Sequence, residues 1–322
     1  MTTLATWGLR VFGLLLLVGA LAFGAVKAPD RPLQQLIARW ALPPSDFIDL
    51  GGQLIHLRDQ GPPDDPLPIV LIHGTSASLH TWEGWVQELQ KTRRVITFDL
   101  PGFGLTGPAE GGPYSGDYSE AAYVGITSAL LDHLKLGRVV LGGNSLGGEI
   151  AWRLAAAQPS RVAALVLIDA SGYVFTPQSM PLAFKLARLP LLGQISHSVL
   201  PRSLVESSVR NIYGDPTQVS SAVIDRYFEM ALREGNRAAL QQRFEQMRPG
   251  QDAALIKTLK LPTLILWGGR DRLIPPENGQ AFARDIAGSR LLTFPTLGHA
   301  PQEEDPAATL APVQEFLRSL TQ

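Results

Sequence analysis

Cysteine is absent from the 322 residues. Its absence excludes disulfides, thiolate metal sites, a cysteine nucleophile and lipid attachment through cysteine, and it leaves the redox compartment open. Charge is also scarce. Asp, Glu, Lys and Arg make up 18% of the chain, with 28 basic against 29 acidic residues and a formal net charge of -1 at pH 7. There is no long basic run, so the footprint that phosphate backbones require is missing and nucleic acid is not an expected partner. A hydrophobic content of 45% excludes a disordered chain. No internal repeat or low-complexity tract is present, and the length suits one large domain or two modest ones.

Hydrophobic residues are distributed unevenly. Residues 11–26, VFGLLLLVGALAFGAV, contain no charge and lie between Arg10 and Lys27. As a helix they would reach roughly 24 Å, close to a ~30 Å hydrocarbon core, with Trp7 at interface depth. Residues 1–28 therefore read as an uncleaved membrane anchor. The alternative is a signal peptide cut near Ala20-Leu21-Ala22, and a further one is a buried core helix. The expected location is a membrane (the inner one if the source is bacterial), or the periplasm or exterior after cleavage. Residues 29–45 follow as an amphipathic linker: Leu33, Leu36, Ile37 and Trp40 form one stripe, ended by Pro43-Pro44. That stripe suits packing on the domain or lying at an interface equally well.

From residue 46 to the end the chain alternates strand and helix. A hairpin signal, residues 47–50 and 54–58, flanks Gly51-Gly52. Apolar, β-branched runs at 68–72, 95–98, 139–141, 164–168, 263–267 and 291–294 read as buried strands, with helices at 119–136 and 146–158 among the connections. This pattern predicts an α/β fold with a mostly parallel sheet, helices on both faces and a site at the carboxyl ends of the strands. Residues 171–259 break the rhythm with helical, Leu-, Phe- and Met-rich text, read as a helical cap inserted over the sheet.

The chemistry concentrates at Gly143-Asn144-Ser145-Leu146-Gly147, placed between a strand and a helix as a nucleophile elbow requires. A serine hydroxyl needs a base, and the base needs an orienting acid. Of the six histidines, His299 follows the last strand. His133 lies inside a helix and His197 inside the insertion, and His73 reads as a structural hydrogen-bonder rather than a second base. Asp271 follows the penultimate strand and competes with Asp169, which follows the strand at 164–168. The order Ser145, Asp271, His299 matches the Ser…Asp…His order of α/β-hydrolases. Oxyanion donors are expected from the backbone N–H of Leu146 and from that of Thr75, with Ser76 as the alternative. No metal or organic cofactor is expected.

From residue 47 onward the chain resembles α/β-hydrolase-fold serine hydrolases in five words: HGT at 73–75, DLPGFG at 99–104, GNSLGG at 143–148, WGGRD at 267–271 and GHAPQEEDP at 298–306. With its hydrophobic amino terminus it looks most like bacterial family V lipases and esterases. The resemblance implies a Ser145–His299–Asp271 triad, a mobile lid for the insertion, and a structural role for the DLPGFG loop, with Asp99 as a turn-former. Relatives that use a carboxylate at the elbow, the haloalkane dehalogenases and epoxide hydrolases, are disfavoured by Ser145. Carbon–carbon bond hydrolases of ring-opening products usually carry tryptophan after the histidine, where this chain has Ala300. The expected activity is hydrolysis of carboxylic esters with hydrophobic acyl groups. Carbon–carbon hydrolysis, lactone hydrolysis and a hydrolase-like small-molecule receptor stand as alternatives, and oligomeric state is not legible.

Overall fold

A computed structural model describes residues 6–8, 10–17, 24, 27–189 and 199–320. Eight strands form one sheet: β1 (Ser45–Leu50), β2 (Gln53–Gln60), β3 (Ile69–Ile72), β4 (Val95–Phe98), β5 (Val139–Asn144), β6 (Val162–Ile168), β7 (Thr263–Gly268) and β8 (Arg290–Phe294). Their order is β1-β2-β4-β3-β5-β6-β7-β8. β1 and β2 pair antiparallel, as do β2 and β4, and every later pairing is parallel. The hairpin between β1 and β2 closes through Gly51 and Gly52, both at positive φ (65° and 98°), which a two-residue turn matched to strand twist demands.

The parallel strands are apolar on both faces because both faces are covered. Val70 and Ile72 point into one core with Tyr123, Leu130, Ile150, Trp152 and Phe282. Their neighbours Ile69 and Leu71 point into the other, against Trp82, Trp85, Leu310 and Val313. This is the two-residue alternation of a pleated strand. The first layer comes from α3 (Glu120–His133), α4 (Leu146–Ala157) and α9 (Glu277–Asp285). The second comes from α2 (Glu83–Leu89) and α11 (Pro306–Ser319), which follows the short α10 (Pro301–Glu304). Between β6 and β7 the chain makes no strand among its described residues. It forms α5 (Leu182–Ala187), α6 (Arg202–Ile212), α7 (Ser221–Leu232) and α8 (Asn236–Gln246).

The amino-terminal expectation is corrected. No helix among the described residues is long and apolar enough to cross a membrane. Among the described residues there, 6–8 and 10–17 are helical, fewer than the roughly 20 that a ~30 Å core requires. Hydropathy marked the run by composition, which does not fix the length of a helix, so a membrane anchor, a membrane partner and the location drawn from them do not stand. The cleavage site at residues 20–22 lies outside the described residues.

The linker stripe forms α1 (Leu33–Trp40). Leu36, 1% exposed, is buried with Leu105 and Met230. Arg39 reaches Glu229 at 2.9 Å, and Arg31 N–H donates to Leu232 O at 2.6 Å. Helix α1 therefore packs on the domain, against α7.

Candidate active site

β5 runs directly into α4, and Ser145 makes the corner at φ 56°, ψ −116°. Such a conformation costs a side-chain-bearing residue about 1–3 kcal/mol. The corner closes because its flanks are bare: a Cβ on Gly143 would stand 2.2 Å from Gly147 C, and one on Gly147 2.0 Å from Ile72 O. Ser145 makes no capping hydrogen bond to the helix it precedes. Its side chain borders a cavity of about 740 Å³, at an amino terminus where the helix dipole favours negative charge.

His299, which follows β8, lines the same cavity. Its Nδ1 lies 2.7 Å from Asp271 Oδ2, while Asp271 Oδ1 accepts the N–H groups of Leu273 (2.8 Å) and Ile274 (3.0 Å). With Nδ1 committed to Asp271, Nε2 is the nitrogen left to exchange a proton. Serine, imidazole and Thr75 thus meet at one cavity, with Asp271 behind the imidazole and 2% exposed. Leu146 opens α4 immediately beyond the serine. Thr75 and Ser76 both line the wall. Gly74 allows that approach, since a Cβ there would come 3.1 Å from Ser145 Cβ.

The roof is apolar and comes from the insertion: Met180, Leu182, Phe184, Leu204, Val205 and Phe244. Arg188 stacks over Phe244 at 4.9 Å, and Arg237 donates to Asp30 at 3.1 Å, so both guanidinium groups at the wall have partners. Leu191, Leu192 and Ile195, part of the Leu-rich text of the insertion, lie outside the described residues.

Several residues that hold the site were not singled out by sequence reasoning. Asn144 Nδ2 donates to His299 O at 2.9 Å, tying the base loop to the elbow. His299 N–H donates to Ile212 O at 2.7 Å, the last residue of α6. Glu304 accepts the N–H groups of Gly298 (2.8 Å), Gly214 (3.0 Å) and Asp215 (2.9 Å). Glu303 takes Arg226 of α7 at 2.8 Å. Both acids fall within the word GHAPQEEDP, and that position was their one sequence signal.

The other histidines stand elsewhere. His73 is wholly buried, with Nδ1 2.7 Å from Gly74 O and Nε2 accepting Leu100 N–H at 3.0 Å, so a neutral ring satisfies both partners. Burial pushes its pKa below the ordinary value. His56 and His80 surround Asp99, His133 is exposed at the end of α3, and His197 lies outside the described residues. Asp169, the competing acid, is buried beside Asp271: ligand atoms of Asp169, Asp271 and His299 lie within 4.8 Å of one another. That is the grouping among the described residues closest to a cation site. A tetrahedral metal with ligands at about 2.0–2.2 Å would set Nδ1 and Oδ2 roughly 3.4 Å apart, whereas they stand 2.7 Å apart, at hydrogen-bond distance.

Residues 68–306 match the model of the alpha/beta hydrolase fold family. The chain is 31% identical over 281 residues to 2-hydroxy-6-oxo-2,4-heptadienoate hydrolase of Pseudomonas putida, covering 83% of this chain and 94% of that one. It is 29% identical to a thermophilic esterase from Thermogutta terrifontis, with a TM-score of 0.67 over 86% of this chain and 99% of the esterase. A meta-cleavage product hydrolase from Pseudomonas fluorescens shares the fold, with a TM-score of 0.72 at 24% identity over 85% and 97% of the two chains. On its fold and on these likenesses, the chain belongs to the α/β-hydrolase family.

Proposed function

We propose that the protein is a serine hydrolase of carboxylic esters with hydrophobic acyl groups. The observation that carries this reading is Ser145 at a strained elbow, beside a His299–Asp271 pair, facing a cavity whose roof is apolar. His299 Nε2 takes the hydroxyl proton as Ser145 Oγ attacks the ester carbonyl, and Asp271 stabilises the imidazolium that forms. The N–H groups of Leu146 and Thr75 hold the oxyanion, each worth roughly 3–4 kcal/mol. The alcohol leaves with the proton from His299. Water then repeats the sequence on the acyl-enzyme, releasing the acid and restoring Ser145. The base must be neutral, so activity falls on acidification.

Carbon–carbon bond hydrolysis is the second reading, and the likeness to the P. putida dienoate hydrolase favours it. Against it, Ala300 borders the cavity at the position after the histidine where carbon–carbon bond hydrolases usually carry tryptophan. Initial rates on p-nitrophenyl esters from acetyl to palmitoyl, set beside 2-hydroxy-6-oxo-2,4-heptadienoate, separate the two. Turnover of esters that Ser145→Ala abolishes is the expected result. Turnover of the dienoate alone moves the assignment to carbon–carbon hydrolysis, and turnover of neither leaves a binding role.

A further inference from the structure

Asp169 leaves the end of β6 at φ 44° and is fully buried. Its Oδ1 accepts Gly268 N–H at 2.9 Å. Its Oδ2 meets neither solvent nor any donor among the described residues. Asp271 differs, because two backbone N–H groups and the His299 imidazole surround it, as suits a carboxylate. The charged or titratable groups facing Asp169 are Asp271, His299 and, from α10, Glu304. Two carboxyl groups this close and this dry do not both ionise, and the one with three donors keeps the charge. Burial first, then Asp271, push Asp169 well above the usual carboxylate range.

We propose that Asp169 is a positioning residue, a neutral carboxylic acid whose Oδ2–H donates to Asp271 and keeps that carboxylate aimed at His299. The acid pair then carries one charge, and no buried oxygen of Asp169 is left without a partner. This rests on the reading of Asp271 and His299 as the acid and base of the proposed hydrolase. Asparagine reproduces such an acid, with an amide N–H toward Asp271 and a carbonyl oxygen toward Gly268.

The test combines kinetics on p-nitrophenyl butyrate with the titration of the His299 imidazole followed by NMR in the full chain. Asp169→Ala is expected to lower kcat roughly 10- to 100-fold with little change in KM, as a misaimed group does. Asp169→Asn is expected to rescue kcat and to leave the His299 titration where it stands in the wild type. An ionised Asp169 gives a different result: asparagine would remove a negative charge near the imidazole and lower its titration midpoint by more than about one pH unit. That overturns the proposal. So does an Asp169→Ala protein that melts at lower temperature while kcat and the His299 midpoint stay put, which marks a purely structural residue. If the wild type hydrolyses no ester, the proposed activity fails, and the NMR titration still decides the state of Asp169.

Discussion

Among the described residues two Ser–His–Asp groupings stand out. In one, His299 Nδ1 lies 2.7 Å from Asp271, and Ser145 shares the imidazole's cavity. In the other, His56 Nδ1 lies 2.7 Å from Asp99 Oδ2 and His56 Nε2 lies 3.0 Å from Ser45 Oγ. The second is hydrogen-bonded from serine through imidazole to acid. Its surroundings differ: His56 and Asp99 have no exposure at all. Ser45 Oγ also accepts Arg58 Nε–H at 2.9 Å, and the serine lies at the start of a strand rather than at a strained corner. Asp99 further accepts the N–H groups of Leu79 and Leu105, both at 2.7 Å. The second chain is a structural clamp that joins β1, β2 and the loops after β3 and β4. A serine, an imidazole and a carboxylate in line do not make a hydrolase. A helix amino terminus, oxyanion donors and an open cavity beside the serine supply the rest.

The largest effects that test this contrast are on turnover. Ser145→Ala is expected to reduce ester hydrolysis by roughly 10³-fold or more, whereas Ser45→Ala leaves kcat within about twofold and costs on the order of 1 kcal/mol of stability for the lost hydrogen bond. Rates on p-nitrophenyl butyrate and urea unfolding of both variants check this. A large loss of turnover in Ser45→Ala would break the comparison.

The acids should separate in the same sense. Asp271→Asn is expected to lower kcat by on the order of 10⁴-fold through the wrong imidazole tautomer, with little change in melting temperature. Asp99→Asn should spare the kcat of the folded fraction and cost about 3–5 kcal/mol, because it removes one member of a buried pair and turns an amide donor toward donors. Melting curves read beside active-site titration distinguish the two. Equal stability losses would show that both clamps are structural.

The contrast also shows where sequence reasoning reaches. Strands β3 to β7 are legible because covered parallel strands need unbroken apolar runs, and the order of Ser145, Asp271 and His299 is legible because each follows a strand end. The role of Asp99 reads only as a turn, since its partners His56 and Leu79 stand 43 and 20 residues away and no local pattern brings them together. Asp169 reads as a competing acid and not as a partner, because its neighbour Asp271 follows the next strand and no local pattern joins the two. The amino-terminal run misled for the converse reason: apolar composition is local and does not fix the length of the helices described there.

The last predicted effect is a pH dependence of stability centred on the clamp. His80 packs beside His56 at a ring separation of 6.1 Å, with Nδ1 3.0 Å from Ser78 Oγ and Nε2 2.8 Å from Trp40 O. Burial lowers its pKa to about 4, with the Arg58 and Arg226 charges acting in the same direction and Asp99 opposing them. An unfolded histidine takes up its proton near pH 6.5. Between pH 6.5 and 4 the unfolded chain therefore binds the proton and the folded one does not, so stability falls as pH drops through that window. The full loss is roughly 3 kcal/mol. His73, also lowered by burial, adds to the same slope. Urea unfolding at pH 7, 6 and 5 should give steadily lower midpoints, and His80→Gln should flatten the decline while lowering the value at pH 7. An identical slope in wild type and variant would place the acid sensitivity outside the clamp, and the active-site pair, which faces the cavity, would then be the next to test.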